Sequence, residues 1–194
     1  MREGIPVPKM SILSFHEALV SSELVLSHSL DGAVKISSHN VFNDEIIDEV
    51  YKLDHSKFRE ELWYDRDELV ERFSKPGFFC ILVHLDGGVI AYDFGYDESE
   101  GVFFSDSTAT IIEKKGIGTF LGVLELVYLF ENGYRKVKFR TEEKDQAGRP
   151  LRLIWEKRGY KMVSSDERGI AMELDIEQGV VNERVEKHIT GALV

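Results

Sequence analysis

The chain of 194 residues has one cysteine, four prolines and two tryptophans. A single cysteine cannot form an intramolecular disulfide, and Cys80 lies in an apolar run, where a thiol usually packs as a small hydrophobic group. No apolar run reaches the roughly 20 residues that a membrane-spanning helix needs. The N-terminus also lacks the apolar core of a signal peptide. We therefore predict a cytoplasmic location and no membrane partner.

Basic residues are fewer than acidic ones: the chain has 24 Lys and Arg and 35 Asp and Glu, which gives a net charge of -11. Nucleic acid is therefore not expected as a partner. The charge is uneven: residues 114–161 hold 12 basic and 6 acidic side chains, whereas residues 44–106 hold 6 basic and 17 acidic ones. One half is suited to bind an anion and the other to attract a cation. The six histidines lack metal-binding spacing, so we predict no metal site.

The chain is 43% hydrophobic, which suits one domain with a core of its own. Its central stretch is the turn at 113–119, which reads Glu-Lys-Lys-Gly-Ile-Gly-Thr. A strand-like run at 101–109 comes before this turn, and residues 120–130 after it are apolar almost all round. The pattern predicts a strand, a glycine turn and a buried helix.

The start of that helix is a candidate anion site. Its first N–H groups have no acceptor inside the helix, and the helix dipole places partial positive charge there. Gly116 and Gly118 have no side chain that could keep a ligand from these amides, and Lys114 and Lys115 add full positive charges. A phosphate or pyrophosphate is the simplest ligand. The spacing matches neither a P-loop nor the dinucleotide fingerprint.

Periodicity and turn residues predict the remaining elements. Strands are expected at 33–37, 78–85, 89–96, 102–109, 134–141, 160–163 and 170–174, with helices that begin after Asn43, at Asp65 and at Pro150. The three strands between 78 and 109 form an antiparallel meander. Residues 14–26 fit either a helix or an extra strand, and residues 178–194 fit a short helix or a tail. We predict an N-terminal extension at 1–32, one domain at 33–176 and a C-terminal tail at 177–194.

This order of elements, with a glycine turn that opens the helix after the third meander strand, resembles the GNAT superfamily of acyl-CoA-dependent N-acyltransferases over roughly residues 33–174. The family's turn reads Gln or Arg, two residues, Gly, one residue, then Gly or Ala. Residues 113–118 keep both glycines but begin with Glu113. The family's last helix ends in Tyr-Glu-Lys-x-Gly-Phe, and residues 155–160 read Trp-Glu-Lys-Arg-Gly-Tyr.

The resemblance implies an α/β (α+β) fold with a mixed, mostly antiparallel central sheet, flanked by helices and splayed at its middle strands. It also implies transfer of an acetyl group from acetyl-CoA to a primary amine of a small molecule or a protein. The pantetheine arm of CoA would lie beside residues 106–110. The residues implied in cofactor binding are Thr108, Thr110, Lys114, Lys115, Gly116, Ile117, Gly118 and Thr119.

Asp106 is the candidate catalytic residue. Strand alternation places it on one face with Val102, Phe104 and Thr108. An acid in an otherwise apolar set is a candidate general base for an ammonium acceptor, because apolar surroundings should raise its pKa. Glu142 and Glu143, at the end of the next strand, are weaker candidates.

Two departures from the family pattern support a second hypothesis. Trp155 stands where the family often has the tyrosine that protonates the CoA thiolate, and an indole N–H is not a usable acid at neutral pH. Glu113 adds a negative charge to a turn that should hold pyrophosphate. The alternative is therefore an acyl-CoA-binding sensor or scaffold without turnover. The last hairpin and the tail could also pair two chains in a homodimer.

Overall fold

The computed structural model describes residues 13–145 and 148–192. Its seven strands form one sheet in the order β1-β2-β3-β4-β5-β7-β6. The strands are β1 (Val34–His39), β2 (Phe79–Leu85), β3 (Gly88–Ser99), β4 (Val102–Thr110), β5 (Lys136–Thr141), β6 (Lys161–Asp166) and β7 (Gly169–Asp175). All neighbouring strands are antiparallel except β4 and β5. The predicted mixed, mostly antiparallel sheet is confirmed.

Six α-helices are α1 (Phe15–Leu30), α2 (Asp44–Lys57), α3 (Arg66–Phe73), α4 (Ile117–Glu131), α5 (Leu151–Lys157) and α6 (Gln178–His188). Short 3-10 helices occupy Glu60–Leu62 and Thr190–Ala192. Local sequence sets several of these starts. Ser14 and Glu17 form a capping box on α1, Asn43 accepts a hydrogen bond from the backbone N–H of Ile46, and Asp65 caps α3. Of the two interpretations of residues 14–26, the helix is correct.

Two hydrophobic cores cover the two faces of the sheet. On one face, α1, α4 and α6 contribute residues such as Ala18, Leu124 and Val181. On the other face, α2 and α3 pack side chains such as Val50 and Leu69 against the meander. Helix α4 is apolar nearly all round and is buried between the sheet and other helices, as its sequence predicts.

Strands β4 and β5 separate along their length. They pair in parallel only where Val102–Phe104 meets Lys136–Lys138. Beyond Phe104 the two strands diverge, so the sheet opens into a V between them. The predicted splay at the middle strands is confirmed.

A β-bulge lies on β4 at the point where the V opens. Phe94 pairs with Ser107 and Gly95 with Ser105, so Asp106 has no partner on β3. Gly95 is required there, because a Cβ atom would come within 2.2 Å of the Phe104 carbonyl oxygen. The extra residue changes the alternation of side chains on β4.

No helix among residues 13–145 and 148–192 is long and apolar enough to cross a membrane.

Candidate active site

The V leads into a groove of about 1030 Å³. Its floor is the open part of β4 and β5, and its walls are one face of α4 and the facing side of α5. One end is lined by Phe58, Leu62 and Tyr64, and the other end by α6. The α5–α6 side is basic, since it carries Arg149, Lys157, Arg158, Arg184 and Lys187. The groove therefore joins an aromatic and aliphatic end to a positively charged wall.

The glycine turn forms the start of α4, as predicted. Gly116 is the N-cap, with a φ of 80° that favours glycine. The N–H of Thr119 donates to the Gly116 carbonyl at 2.8 Å, whereas the N–H groups of Ile117 and Gly118 have no acceptor inside the helix. A Cβ atom on Gly118 would meet nothing within 4 Å. Space is therefore open in front of these first amides.

The predicted cofactor residues divide into two sets. Thr108, Gly118 and Thr119 line the groove, and Gly116 and Ile117 supply the turn beside it. The side chain of Ile117 is buried in the core, so only its backbone can face a ligand.

The other three predicted residues point elsewhere. The Thr110 hydroxyl donates to the Ile112 carbonyl at 3.1 Å, and the Lys115 ammonium donates to the Ser29 carbonyl at 3.1 Å. Lys114 is exposed, with a φ of 62°. These contacts place none of the three side chains in the groove, although both lysines remain near the turn.

Two ion pairs join the end of α2 and the residues just after it to both sides of the groove. Lys57 contacts Glu113 at 2.6 Å, beside the glycine turn, and Arg59 contacts Glu142 at 3.0 Å, at the end of β5. Hydrogen bonding to Lys57 lowers the pKa of Glu113. The acid that departs from the family turn is thus neutralised by a lysine that is distant in sequence.

Asp106 lies in the groove, but its neighbours are polar. Its carboxylate forms an ion pair with Arg72, and the Tyr64 hydroxyl lies 3.5 Å from it. Only 6% of its side chain is exposed. Protonation of Asp106 would leave Arg72 without its anion. The expectation of apolar surroundings is wrong, and the role of Asp106 as general base stays a prediction.

The β-bulge explains this correction. Asp106 points toward α3, whereas the Thr108 hydroxyl donates to Asp93, on the α4 side of the sheet. Asp106 and Thr108 are therefore on opposite faces of β4. Strict alternation placed them on one face, and only the pairing with β3 reveals the extra residue.

Two buried acids on the α4 side were not identified from the sequence. Asp93 and Glu125 are 3% and 4% exposed, and both line the groove. Burial raises the pKa of Asp93 to about 6, and burial together with the nearby Asp93 raises the pKa of Glu125. Ser105 hydrogen-bonds Glu125. Glu125 could have been noticed as the one acid within the apolar run of α4.

Trp155 lines the groove and packs among aromatic rings. Its ring centroid lies 4.6 Å from that of Phe139 and 5.3 Å from that of Tyr160, and the Arg158 guanidinium lies 4.9 Å above its ring. Burial raises the pKa of Tyr160, which also lines the groove. Packing is therefore the role that the contacts give to Trp155.

No protein-family model matches this chain, and no curated protein matches its sequence. Solved structures do match its fold. The ribosomal-protein-S18-alanine N-acetyltransferase from Escherichia coli has a TM-score of 0.61 at 13% identity, over 75% of this chain and 95% of that one. The chain has the GNAT fold.

Two further structures with the GNAT fold contain coenzyme A. An aminoglycoside 6'-N-acetyltransferase complexed with coenzyme A has a TM-score of 0.62 at 16% identity, covering 73% of this chain and 97% of that one. The PaiA N-acetyltransferase from Thermoplasma acidophilum, in complex with coenzyme A, has a TM-score of 0.58 at 13% identity, covering 73% and 99%. At these identities the likeness shows the fold alone.

Proposed function

We propose that this protein is an N-acetyltransferase that moves the acetyl group of acetyl-CoA to a primary amine. The observation that carries this proposal is the V between β4 and β5, which opens into a groove beside the exposed first amides of α4. The three structures named above share the fold, and their names describe N-acetyltransferases. The basic wall of the groove suits the phosphate groups of CoA.

In this proposal the pyrophosphate binds the N–H groups of Ile117 and Gly118, where the dipole of α4 adds to their attraction. The pantetheine arm lies along β4 near Thr108, because the strand has exposed backbone groups after its pairing with β5 ends. Lys114 and Lys115 contribute screened attraction near the turn. The thioester then lies in the V, close to Ser105 and Ser107.

The acceptor amine would enter from the end lined by Phe58, Leu62, Tyr64 and Asp106. An aromatic and aliphatic surface with one acid suits an ammonium group carried by a small molecule or a protein. The excess of acidic residues in 44–106 would attract such a cation.

The alternative is an acyl-CoA-binding sensor or scaffold. The packing of Trp155 favours it, because no tyrosine occupies the position from which the family often protonates the thiolate. Solvent can also protonate a thiolate, so this packing alone does not remove catalysis.

Release of free CoA thiol in the presence of a panel of amines tests the proposal. We expect acetyl-CoA to raise the melting temperature and at least one amine to give thiol release above the rate of hydrolysis. A melting shift without thiol release on any amine would favour the sensor. No melting shift would contradict both functions.

A further inference from the structure

A chain of hydrogen bonds runs from the groove into the core beneath α2. Ser107 lines the groove on β4, and its Oγ lies 3.0 Å from the Tyr92 hydroxyl. The Tyr92 hydroxyl lies 2.7 Å from Oδ1 of Asp54. Both Tyr92 and Asp54 are fully buried. These hydrogen bonds therefore connect a residue that lines the groove to a carboxyl group that solvent does not reach.

The carboxylate fixes the direction of this chain. An ionised Asp54 can only accept, so Tyr92 donates to it. The oxygen of Tyr92 then accepts from Ser107, and the lone pairs of Ser107 Oγ are left to accept from a group in the groove. Every hydrogen bond thus points from the groove toward Asp54, which is the arrangement needed to carry a proton inward.

The surroundings of Asp54 suit a proton acceptor. Oδ2 accepts from the Tyr64 N–H at 3.1 Å, and the only ion-pair contact of Asp54 among the described residues is His55 Nδ1 at 3.9 Å. That nitrogen lies 2.9 Å from the Tyr51 carbonyl, to which it donates. Glu68 on α3 adds negative charge. Burial raises the pKa of Asp54, and hydrogen bonds from Tyr92 and Tyr64 oppose that rise.

Asp106 differs from Asp54 in its partner, although it adjoins Ser107 in sequence. Arg72 holds Asp106 in an ion pair, which a proton would break. No arginine or lysine among residues 13–145 and 148–192 makes an ion pair with Asp54. A proton on Asp54 leaves no guanidinium unpaired, and burial raises the pKa of this carboxyl.

We propose that Ser107, Tyr92 and Asp54 form a proton relay that takes a proton from the acceptor amine during acetyl transfer. This inference rests on the proposed N-acetyltransferase activity. Ser107 contacts the amine directly or through one water, and Tyr92 and Asp54 act through Ser107. Sequence inspection could not join these residues, because they lie on β4, β3 and α2.

The step balances as follows. The acceptor ammonium first loses one proton to solvent. The nitrogen of the free amine then attacks the thioester carbonyl carbon, and a C–N bond forms. One N–H proton passes to Ser107 Oγ while the Ser107 proton passes to Tyr92 and the Tyr92 proton passes to Asp54. The C–S bond breaks, and the CoA thiolate leaves with the electron pair and takes a proton from solvent. Asp54 returns its proton to solvent through the same chain.

Three variants test the relay: Asp54→Asn, Tyr92→Phe and Ser107→Ala. Each should bind acetyl-CoA with the wild-type melting shift and lower kcat by about 100-fold or more, since general bases contribute on that order. KM for acetyl-CoA should stay unchanged. The acid limb of the pH–rate profile should disappear in Asp54→Asn, because wild-type activity rises as Asp54 loses its proton with rising pH. The double variant Ser107→Ala/Tyr92→Phe should lower kcat no more than either single variant does, because one break already interrupts the relay.

Tyr134→Phe is the matched control. Tyr134 donates its hydroxyl to Asp97 away from the groove, so this variant also removes a Tyr–Asp hydrogen bond. It should keep the wild-type kcat and solvent deuterium isotope effect, whereas Tyr92→Phe should lower both. Tyr92→Phe also keeps the ring that fills the core, so it remains informative if Asp54→Asn fails to fold.

The outcomes separate the relay from the proposed function. A wild-type protein that acetylates no amine would overturn both. If the wild-type protein acetylates an amine and the relay variants keep its kcat and acid limb, only the relay is overturned. Loss of the acid limb in Asp106→Asn but not in Asp54→Asn would assign the proton to Asp106 and overturn the relay as well.

Discussion

At the scale of single residues, Gly118 gives the sharpest test of the anion site. It is the second residue of α4, and no atom would meet a Cβ atom there within 4 Å. A leucine at this position should fold normally and cover the amides of Ile117 and Gly118. We expect Gly118→Leu to abolish the melting shift that acetyl-CoA causes.

Gly179→Leu is the control for this substitution. Gly179 is the second residue of α6, is exposed, and likewise has nothing within 4 Å of a Cβ atom. The two variants therefore change the same helix position in the same way. The control should keep the full melting shift. An unchanged shift in Gly118→Leu would show that the phosphate groups bind elsewhere.

Asp106 shows how far single-residue inference from the sequence extends. The family resemblance implied a place for this acid beside the V, and Asp106 does line the groove, whereas strict strand alternation put it on the same face as Thr108. Its partner Arg72 is 34 residues away in sequence and belongs to α3. Pairing between distant elements supplies this contact, and no local pattern encodes it.

At the scale of elements, the end of α2 determines the charge at the start of α4. Lys57 neutralises Glu113 next to the glycine turn. We expect Lys57→Ala to weaken acetyl-CoA binding several-fold, because Glu113 then repels the phosphates. The loss should be greater at low salt than at high salt, since exposed charges are screened.

Two further variants separate this effect from a direct contact of Lys57 with the ligand. Lys57→Ala/Glu113→Gln should recover most of the lost affinity, because no unpaired acid remains. Arg59→Ala breaks the neighbouring ion pair with Glu142 and should weaken acetyl-CoA binding less than Lys57→Ala does. Failure of Glu113→Gln to rescue Lys57→Ala would mean that Lys57 itself binds CoA. Isothermal titration calorimetry at two ionic strengths measures the affinity of each variant for acetyl-CoA.

The predicted division at residue 32 also belongs to this scale. Helix α1 lies within the proposed extension and contributes Ala18 and Leu26 to the core shared with α4. The boundaries at 32 and 176 remain predictions.

At the scale of the whole molecule, the buried acids affect folding stability. Burial raises the pKa of Asp93 from 3.8 to about 6. Because folding raises this pKa, burial of the carboxyl costs little stability below pH 4, the cost grows as the pH rises from about 4 to about 6, and it is complete above pH 6. The effect above pH 6 is on the order of 2 to 3 kcal/mol, from 1.36 kcal/mol per pH unit.

We therefore expect Asp93→Asn to unfold at higher denaturant concentration than wild type at pH 8, and to differ little from it near pH 4. Asparagine keeps an oxygen that can accept the Thr108 hydrogen bond. Glu100→Gln is the control, because Glu100 is exposed in the turn before β4 and should change stability equally little at both pH values. A variant less stable than wild type at pH 8 would contradict the sign of this effect.

The sequence determined the elements and their order. Alternating apolar residues, the caps at Asn43 and Asp65, and the glycines of the turns act within a few residues, so they can be recognised locally. The GNAT-like arrangement and the candidate anion turn followed from that order. Only the tertiary structure decided the polar part of the site. The bulge at Asp106, the ion pairs of Lys57 and Arg72, the buried acids and the link from Ser107 to Asp54 all join distant segments. They depend on strand register and helix packing, which no local pattern specifies.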